Sequence, residues 1–545
     1  MTPMPTFSRT TLCWLAVALI WFGTLGVRPL AHPDEGRYSE ISREMLQSGD
    51  WVTPRLDGLK YFEKPPLQYW ATAAAFKAFG TSDFVARLWT ALCGFISVFA
   101  VWWTARRLWG AESALYAGMA AAGMSYIYAI SHVVTLDSAV SGFLTLALCG
   151  FLLSQHDAAT SADNRRWMLF TWASMAAAML SKGLIGVVLP GAVLVLYSLT
   201  CRDWRVWPRM QWWLGLPLFA LIAVPWHVMV HMRNPEWAHF YFIHEHFERF
   251  TTTEHKRTGA WWYFLPLLAA GALPWTSLLP QALVQGWRQD AGHFRPRRFL
   301  VLWAGFIFLF FSLSGSKLPG YILPVFPALA LLLGPTLAAL PARKLRAHAW
   351  PVLVLMLVLA VGAPIFAQTG SERTPMDLNR AAMAWLLPAA LVFLGCAAAA
   401  MRLALREQKA QAVALLAAGS LLFWSGMMFG YNGYSPVMSS AALAQKLEGQ
   451  LSPGAPAYTV RIYDQTLPYY LQRTVIPVEW TDELQLGEEQ EPERWIAHID
   501  DFVREWRGLS EGLAVMGPET YSELERDGVP MKLVDRNSRR VVVLR

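Results

Sequence analysis

Long apolar runs separated by short polar stretches fill the first 430 residues of the chain. A membrane-spanning helix needs about 20 mostly apolar residues, and this requirement predicts about thirteen transmembrane helices. The predicted spans are residues 10–30, 84–105, 112–131, 137–155, 166–181, 183–200, 211–230, 262–285, 299–314, 319–340, 348–367, 382–401 and 410–430. We therefore expect an α-helical polytopic membrane protein.

The pattern changes after residue 430, where short β-type runs alternate with amphipathic helical stretches. "PAYTVRIYD", "RTVIPVEW" and "RRVVVLR" predict strands, and "EPERWIAHIDDFVREWRG" predicts a helix. Such alternation is typical of a small α/β domain. We predict a membrane domain over 1–430 and an α/β domain over 431–545. The latter carries no recognisable catalytic motif, which favours a packing or lid role.

Basic residues follow every even-numbered predicted span. They are Arg106, Arg107, Arg165, Arg166, Arg202, Arg205, Arg209, Arg288, Arg295, Arg297, Arg298, Arg343, Lys344, Arg346, Arg402, Arg406 and Lys409. Cytoplasmic loops carry such an excess of Lys and Arg, so the N-terminus is predicted to lie inside. Loops 31–83 and 231–261 and the α/β domain are then predicted to lie outside.

Composition supports the membrane assignment and narrows the classes of function. The chain is 55% hydrophobic and 16% charged, whereas a soluble domain carries about 25% charged residues. Its net charge of +7 comes from short loops between spans, so it does not indicate a nucleic-acid partner. No inner loop has a Walker or Rossmann glycine pattern, which argues against a nucleotide-driven pump. The five Cys have no CxxC spacing and predict neither a disulfide framework nor a Cys metal site.

The first outer loop brings two adjacent carboxylates, Asp34 and Glu35, to the end of a predicted span. In "DEGRYSEISREMLQ", Tyr38, Ile41 and Met45 share one helical face, which predicts a helix lying on the outer membrane surface. Asp34 alone could cap this helix. A pair of acids near the membrane is costly without a use, so a catalytic pair is the second interpretation.

The same loop continues with "GLKYFEKPPLQYW", which crowds Tyr61, Glu63 and Lys64 before two prolines. The prolines fix an extended turn. One interpretation is a rigid loop with a solvated charge pair. The other is a phosphate site, in which Lys64 supplies charge and Tyr61 a hydroxyl.

Three further outer positions carry charge beside predicted spans. Asp137 opens the fourth span and is either a helix N-cap or a site acid. Lys182 and Lys317, the latter followed by Tyr321, lie at outer turns. Lysines can snorkel at helix ends, but outer lysines oppose the positive-inside bias. Together with Lys64 they indicate a bound anion outside.

The segment "HFYFIHEHFERF" precedes the eighth span and contains two kinds of candidate ligand. His244 and His246, with Glu63 from the first loop, could hold a divalent metal such as zinc or magnesium. The spacing is not diagnostic of a zinc site. Arg249 fits a phosphate clamp better, because its fork matches phosphate oxygens.

The outer candidates are carboxylates, lysines, an arginine and tyrosines beside the lipid interface, which indicates a lipid-linked phosphate substrate. A non-enzymatic transporter or flippase of a lipid-linked sugar is an alternative. Transporters show paired interrupted helices and inverted halves. We find neither pattern in the sequence.

Several quoted motifs resemble aminoarabinose transferases, membrane glycosyltransferases of the GT-C class related to protein O-mannosyltransferases. The resemblance is dense in "HPDEGRYSEISREML" and "LKYFEKPPLQYW" and continues in "SKGLIGVVLPG", "EHFERF" and "SKLPGYILPVFP". It is weak after residue 430. The resemblance implies thirteen spans, a periplasmic active site and a periplasmic C-terminal α/β domain.

The resemblance also implies a reaction and residue roles. The donor would be undecaprenyl phosphate-linked 4-amino-4-deoxy-L-arabinose, and the acceptor lipid A in a bacterial inner membrane, giving polymyxin resistance. Asp34 matches the catalytic aspartate and Asp137 a second acid. Lys64 and Arg249 match donor-phosphate positions. Protein O-mannosylation, with a hydroxyl acceptor, stays an alternative.

Overall fold

The computed structural model describes residues 9–242, 259–288, 290 and 292–545. The chain divides into two compact units. The first comprises residues 1–25, 87–362 and 386–427, and the second comprises 26–86, 363–385 and 428–545. The second unit therefore combines the first loop with the C-terminal region, whereas the division into 1–430 and 431–545 remains a prediction.

Long apolar helices form most of the first unit. The main helices, including those that cross the unit boundaries, are Arg9–Gly23, Asp83–Gly123, Ser125–Ser131, Leu136–Gln155, Ser161–Lys182, Ile185–Cys201, Trp212–Arg233, Phe264–Gly271, Leu279–Arg288, Pro296–Leu313, Val325–Ala339, Leu345–Phe366, Met376–Leu405 and Lys409–Tyr431. Each of the thirteen predicted segments overlaps one of these helices. The predicted class, a helical polytopic membrane protein, is confirmed.

The number of membrane crossings stays a prediction. Within the described ranges, eight helices are long and apolar enough to cross a bilayer, or nine with one bent pair. The prediction of one continuous helix over 262–285 is wrong, because this stretch forms two helices that meet at 106°. Pro274 lies in the break, and proline removes a helical N–H donor. Two other predicted spans share helix Asp83–Gly123, interrupted at Gly110 with φ 84°, a conformation that glycine adopts without steric cost.

Helices Leu136–Gln155 and Ser161–Lys182 pack closely in the first unit. The Thr171 hydroxyl donates to the Ala147 carbonyl at 3.1 Å, and a side chain at Gly150 would overlap Thr171. Small residues at such a contact let two helix backbones approach. Asn164, near the start of the second helix, donates to the Ser154 carbonyl near the end of the first at 3.1 Å, so the two helices run antiparallel.

The C-terminal region forms a five-stranded mixed sheet, which confirms the predicted small α/β domain. Its strands are Ala457–Val460, Ile476–Val478, Leu513–Met516, Lys532–Arg536 and Val541–Leu544. The first strand pairs in parallel with the second and third, and the fifth pairs antiparallel with the third and fourth. In register, Tyr458 faces Ile476 on one side and Ala514 on the other.

Helices Ile499–Gly508 and Pro518–Arg526 pack on this sheet and bury its core. The same region also contains helices Ser435–Met438, Ala441–Leu447, Leu467–Leu471 and Gln485–Gln490. Phe502 and Trp506 pack with Tyr458, Met516 and Val543. Burying aromatic side chains of this size accounts for much of the stability of a small sheet domain.

The first loop folds as part of the same unit. It contains helix Asp34–Ser48, a hairpin of Arg55–Leu56 with Leu59–Lys60, and helix Leu67–Phe79. Asp57, between the hairpin strands, accepts hydrogen bonds from the Tyr463 hydroxyl and, at 2.8 Å, from the Val475 amide. Residues more than 400 positions apart are thereby joined.

Candidate active site

Helix Asp34–Ser48 carries most of the acidic candidates. Pro33 occupies its N-cap position and no side chain caps it, so the capping interpretation does not describe Asp34. The Asp34 side chain is 41% exposed. Residues from Glu35 to Met45 are buried, so the apolar face of this helix packs inside the protein, and its predicted position on the outer membrane surface stays a prediction. The first loop and the C-terminal region enclose it.

Arg37 lies between Asp34 and a carboxylate that sequence reasoning missed. One terminal nitrogen of Arg37 is 3.5 Å from Asp34 Oδ1, and the other is 3.0 Å from Glu483 Oε2. Both Arg37 and Glu483 are buried. The site therefore includes a guanidinium shared by two carboxylates.

Glu35, the second predicted acid, has a different environment. Its carboxylate accepts hydrogen bonds from both terminal nitrogens of Arg28, at 2.5 and 3.1 Å, and from the Ala31 amide at 2.9 Å. The Arg28 guanidinium also lies 5.0 Å from the Tyr431 ring centre. Glu35 is only 2% exposed. This arrangement favours a structural role, and the catalytic role of Glu35 stays a prediction.

Tyrosines and a charge pair from the first loop lie beside Asp34. The Tyr38 and Tyr69 rings are 6.1 Å apart. Burial raises the pKa of Tyr38, and the charge of Asp34 adds to the shift. Burial and the charge of Glu63 likewise raise the pKa of Tyr61. Both phenols therefore stay protonated and able to donate hydrogen bonds.

The predicted phosphate ligand of this loop, Lys64, faces its neighbour Glu63. Its ammonium donates to the Glu63 carbonyl oxygen at 2.7 Å and lies 3.5 Å from the carboxylate. The Tyr61 hydroxyl has no hydrogen-bond partner among the described groups. A buried hydroxyl without a partner is costly, and a ligand oxygen would satisfy it.

A second cluster, in the first unit, joins three predicted residues. The Lys182 ammonium forms an ion pair with Asp137 and lies 4.7 Å from the Tyr321 ring centre. Thr135 occupies the N-cap position of the helix that Asp137 opens. A side chain at Gly320 would overlap the Asp137 carboxylate. Asp137 is therefore an ion-pair acid rather than a cap.

Lys317 is placed differently from Lys182. Its ammonium donates to the Ser314 carbonyl oxygen, and burial lowers the pKa of this amine. Its predicted role in binding an anion stays a prediction.

His244, His246 and Arg249 lie outside the described residues. The divalent metal predicted on Glu63, His244 and His246 therefore stays a hypothesis, and so does the phosphate clamp of Lys64 with Arg249.

Within the described part of the chain, the carboxylates of Glu40, Glu44 and Asp57 form a close buried group. Arg43 donates to Glu40, with Nε at 2.7 Å, and the amides of Asp57 and Gly58 donate to Glu44 at 2.6 and 2.9 Å. These hydrogen bonds account for the group as a structural cluster. The i, i+4 spacing of Glu40 and Glu44 is the sequence pattern that could have indicated it.

Family models match both parts of the chain. The model described as dolichyl-phosphate-mannose-protein mannosyltransferase matches residues 7–244, and the aminoarabinose transferase C-terminal domain matches residues 443–545. Both the motif-rich loop and the sheet domain are thus represented in known families.

A curated relative from Aeromonas salmonicida is named undecaprenyl phosphate-alpha-4-amino-4-deoxy-L-arabinose arabinosyl transferase. It is 35% identical over 389 residues, which cover 69% of this chain and 70% of the relative. The chain belongs to this aminoarabinose transferase family. An Erwinia tasmaniensis member with the same name is 34% identical over 64% of each chain.

Solved structures of the family extend the similarity to nearly the whole chain. The crystal structure of ArnT from Cupriavidus metallidurans bound to undecaprenyl phosphate is 38% identical and gives a TM-score of 0.93, covering 98% of this chain and 97% of that one. Its apo state is 39% identical, with a TM-score of 0.92 and the same coverage. The chain is thus a multi-span membrane glycosyltransferase of the aminoarabinose transferase family.

Proposed function

We propose that this protein transfers 4-amino-4-deoxy-L-arabinose from undecaprenyl phosphate to a phosphate group of lipid A. The proposal rests on one observation: the fold matches, over nearly the full length of both chains, a family member bound to undecaprenyl phosphate. The sugar is the one printed in the names of the curated relatives. Lipid A as acceptor follows from the family resemblance of the first loop.

The reaction takes place on the periplasmic face of the bacterial inner membrane in this proposal. The supporting observation is the basic charge of the loops after even-numbered predicted spans, which assigns those loops to the cytoplasm. The first loop and the C-terminal domain then lie in the periplasm. A lipid-linked donor suits that compartment, because it needs no soluble nucleotide sugar there.

The chemical step forms one bond and breaks one. An acceptor phosphate oxygen attacks the anomeric carbon, and the bond from that carbon to the carrier phosphate oxygen breaks, leaving undecaprenyl phosphate with the electron pair. An acceptor phosphate is already ionised near neutral pH, so a strong general base is unnecessary. Asp34, partly exposed beside Arg37, would orient the acceptor or stabilise positive charge developing at the sugar.

The donor phosphate needs cationic and hydrogen-bonding partners as negative charge grows on the leaving group. Lys64 and Arg249 are the proposed cations. Tyr61, protonated and with an unsatisfied hydroxyl, is the proposed neutral donor. Asp137 and Lys182, which form an ion pair, keep their predicted roles as a second acid and an anion-binding lysine.

The product carries an added amine, which lowers the net negative charge of lipid A. Cationic peptides such as polymyxin then bind less strongly. Mass spectrometry of lipid A from cells with and without the protein tests the function. We expect the mass increase of one aminoarabinose only with the wild-type protein, and its absence would contradict the proposal.

Protein O-mannosylation is the second candidate, favoured by the mannosyltransferase-model match over residues 7–244. A serine or threonine acceptor is not ionised, and Asp34 would then have to act as a general base. Glycosylated periplasmic proteins with unmodified lipid A would support this candidate. The match of residues 443–545 to the aminoarabinose transferase domain favours the first.

A further inference from the structure

A carboxylate from the C-terminal region reaches the helix that carries Asp34. Glu483 Oε2 lies 3.0 Å from one terminal nitrogen of Arg37, while the other terminal nitrogen lies 3.5 Å from Asp34 Oδ1. Both contacts are ion pairs, and the one to Glu483 is the shorter by 0.5 Å. Arg37 is thus held mainly by Glu483 and only approached by Asp34.

Arg37 and Glu483 are much more buried than Asp34, which explains why Arg37 needs Glu483 as its partner. The side chains of Arg37 and Glu483 are 6% and 8% exposed, whereas Asp34 is 41% exposed. A buried guanidinium needs a carboxylate partner, because an unpaired buried charge is strongly unfavourable. Glu483 meets this need and leaves the Asp34 carboxylate accessible.

We propose that Glu483 is a positioning residue for Asp34 in the transfer reaction, acting through Arg37. This inference rests on the proposed function, in which Asp34 acts at the reacting centre. By binding Arg37, Glu483 keeps the guanidinium from forming a direct pair with Asp34. Asp34 can then present its charge to the substrate.

The surrounding residues hold Glu483 in place. The Gln465 side-chain amide donates to Glu483 Oε1 at 2.9 Å, which fixes the carboxylate from its other side. Asp482, the preceding residue, has φ 76°, a left-handed conformation that aspartate and asparagine adopt more readily than most residues with a side chain.

The backbone contact beside Arg37 keeps the two segments in register. A side chain at Gly36 would overlap the backbone of Gln465 and Thr466. The C-terminal segment therefore lies directly on the first turns of the Asp34 helix. Gln465, whose side chain contacts Glu483, therefore has its backbone beside the residue that precedes Arg37.

The test compares steady-state transfer by the purified full-length enzyme and its Glu483→Gln variant. Without the Glu483 charge, Arg37 turns to Asp34, its other carboxylate partner among the described ion pairs. We expect kcat to fall by about ten- to a hundredfold, which corresponds to about 1.4–2.7 kcal/mol of transition-state stabilisation. KM for undecaprenyl phosphate-aminoarabinose should change by less than about threefold, because the donor ligands are other side chains.

Glu491→Gln is the matched control. Glu491 also comes from the C-terminal region and pairs with an arginine of the first loop, Arg55, at 2.8 Å, but it does not contact Arg37 or Asp34 in the described structure. We expect this variant to lose stability and keep kcat within about twofold. Equal kcat losses in both variants would overturn the positioning role.

Glu483→Asp restores the charge on a shorter side chain and should recover part of kcat. If the Gln variant does not accumulate in a folded form, Gln465→Ala takes its place, with a smaller expected fall in kcat. Wild-type kcat in both Glu483→Gln and Gln465→Ala would refute the inference. If the wild-type enzyme transfers no aminoarabinose, the proposed function itself fails, which separates the two results.

Discussion

Asp34 and Glu35 are neighbours in sequence but belong to different environments. Asp34 is 41% exposed, whereas Glu35 is 2% exposed and bound by Arg28. Helix geometry explains the contrast, because consecutive residues point about 100° apart around the axis. An accessible carboxylate can meet a substrate, and a buried one with all its contacts satisfied stabilises the fold.

Exchanging each carboxylate for its amide should separate these roles. Asp34→Asn keeps the size of an exposed side chain, so we expect a folded protein without transfer activity. Glu35→Gln breaks a buried ion pair, which typically costs about 3–5 kcal/mol, so we expect a clearly lower thermal unfolding temperature. Lipid A modification and unfolding in detergent measure the two effects. Wild-type transfer by folded Asp34→Asn would exclude a catalytic role for Asp34.

Asp57 provides a second residue-level prediction, concerning pH. Burial, with the nearby charge of Glu40, raises the pKa of Asp57 to about 8, above its value of about 4 in unfolded chains. The folded state therefore favours the protonated acid. The stabilising contribution of Asp57 is complete below about pH 4 and is lost as the pH rises through about 8.

We expect the stability of the purified protein to fall between about pH 5 and 8, by up to about 1.4 kcal/mol per pH unit from this one proton. Asp57→Asn cannot ionise and should reduce that slope. Thermal unfolding in detergent across this range measures the effect. The same slope in wild type and variant would show that other groups are responsible.

At the scale of elements, helix Asp34–Ser48 shows what local sequence can and cannot predict. Its apolar positions Tyr38, Ile41 and Met45 followed from helical periodicity, and all three are buried. The burial of Arg37 and Glu40 did not follow, because it depends on contacts far along the chain. Periodicity describes which face of a helix is apolar, but not what covers its polar face.

Gly36 is a position where the C-terminal segment 465–466 lies directly against helix Asp34–Ser48. Gly36→Ala would place a methyl group against the Gln465 and Thr466 backbone, and overpacking typically costs about 1–3 kcal/mol. We expect a lower unfolding temperature and reduced transfer. Gly305→Ala is the control, since that helical glycine has no neighbouring atom within 4 Å of an added Cβ and should keep or raise stability. Similar behaviour of the two variants would contradict the close contact.

The helices and sheet could be predicted more completely than the site. The length of each apolar run predicted the position of a helix, because a bilayer span requires about 20 apolar residues. The bend after Gly271 was not predicted, because hydropathy averaged over a whole run does not show a local break in the helix. Among the candidate site residues, Asp34 and Asp137 stood out as acids beside predicted spans. Glu483 lies in an ordinary polar turn, and only the folded chain joins it to Arg37.

At the scale of the whole molecule, the sides of the membrane remain to be tested. We predict that the N-terminus is cytoplasmic and the C-terminal domain periplasmic, from the distribution of basic loops. In a variant without its five native cysteines, Ser510→Cys should react with an impermeant maleimide added to intact cells. Arg343→Cys, also exposed in the structure, should react only after lysis. The reverse pattern would overturn the assignment.

The division of the chain into discontinuous units has a consequence for synthesis. About 340 residues separate Ala86, which ends the first segment of the second unit, from Met428, which begins its last. Translation proceeds at about 5–20 residues per second. The ribosome therefore needs roughly 15–70 s after completing the first loop to reach the segment that begins at Met428. During that interval the Asp34 helix lacks Glu483, and the Asp57 carboxyl lacks Tyr463. A partly synthesised chain therefore carries Asp34, Arg37 and Asp57 without the later side chains that contact Arg37 and Asp57 in the folded protein.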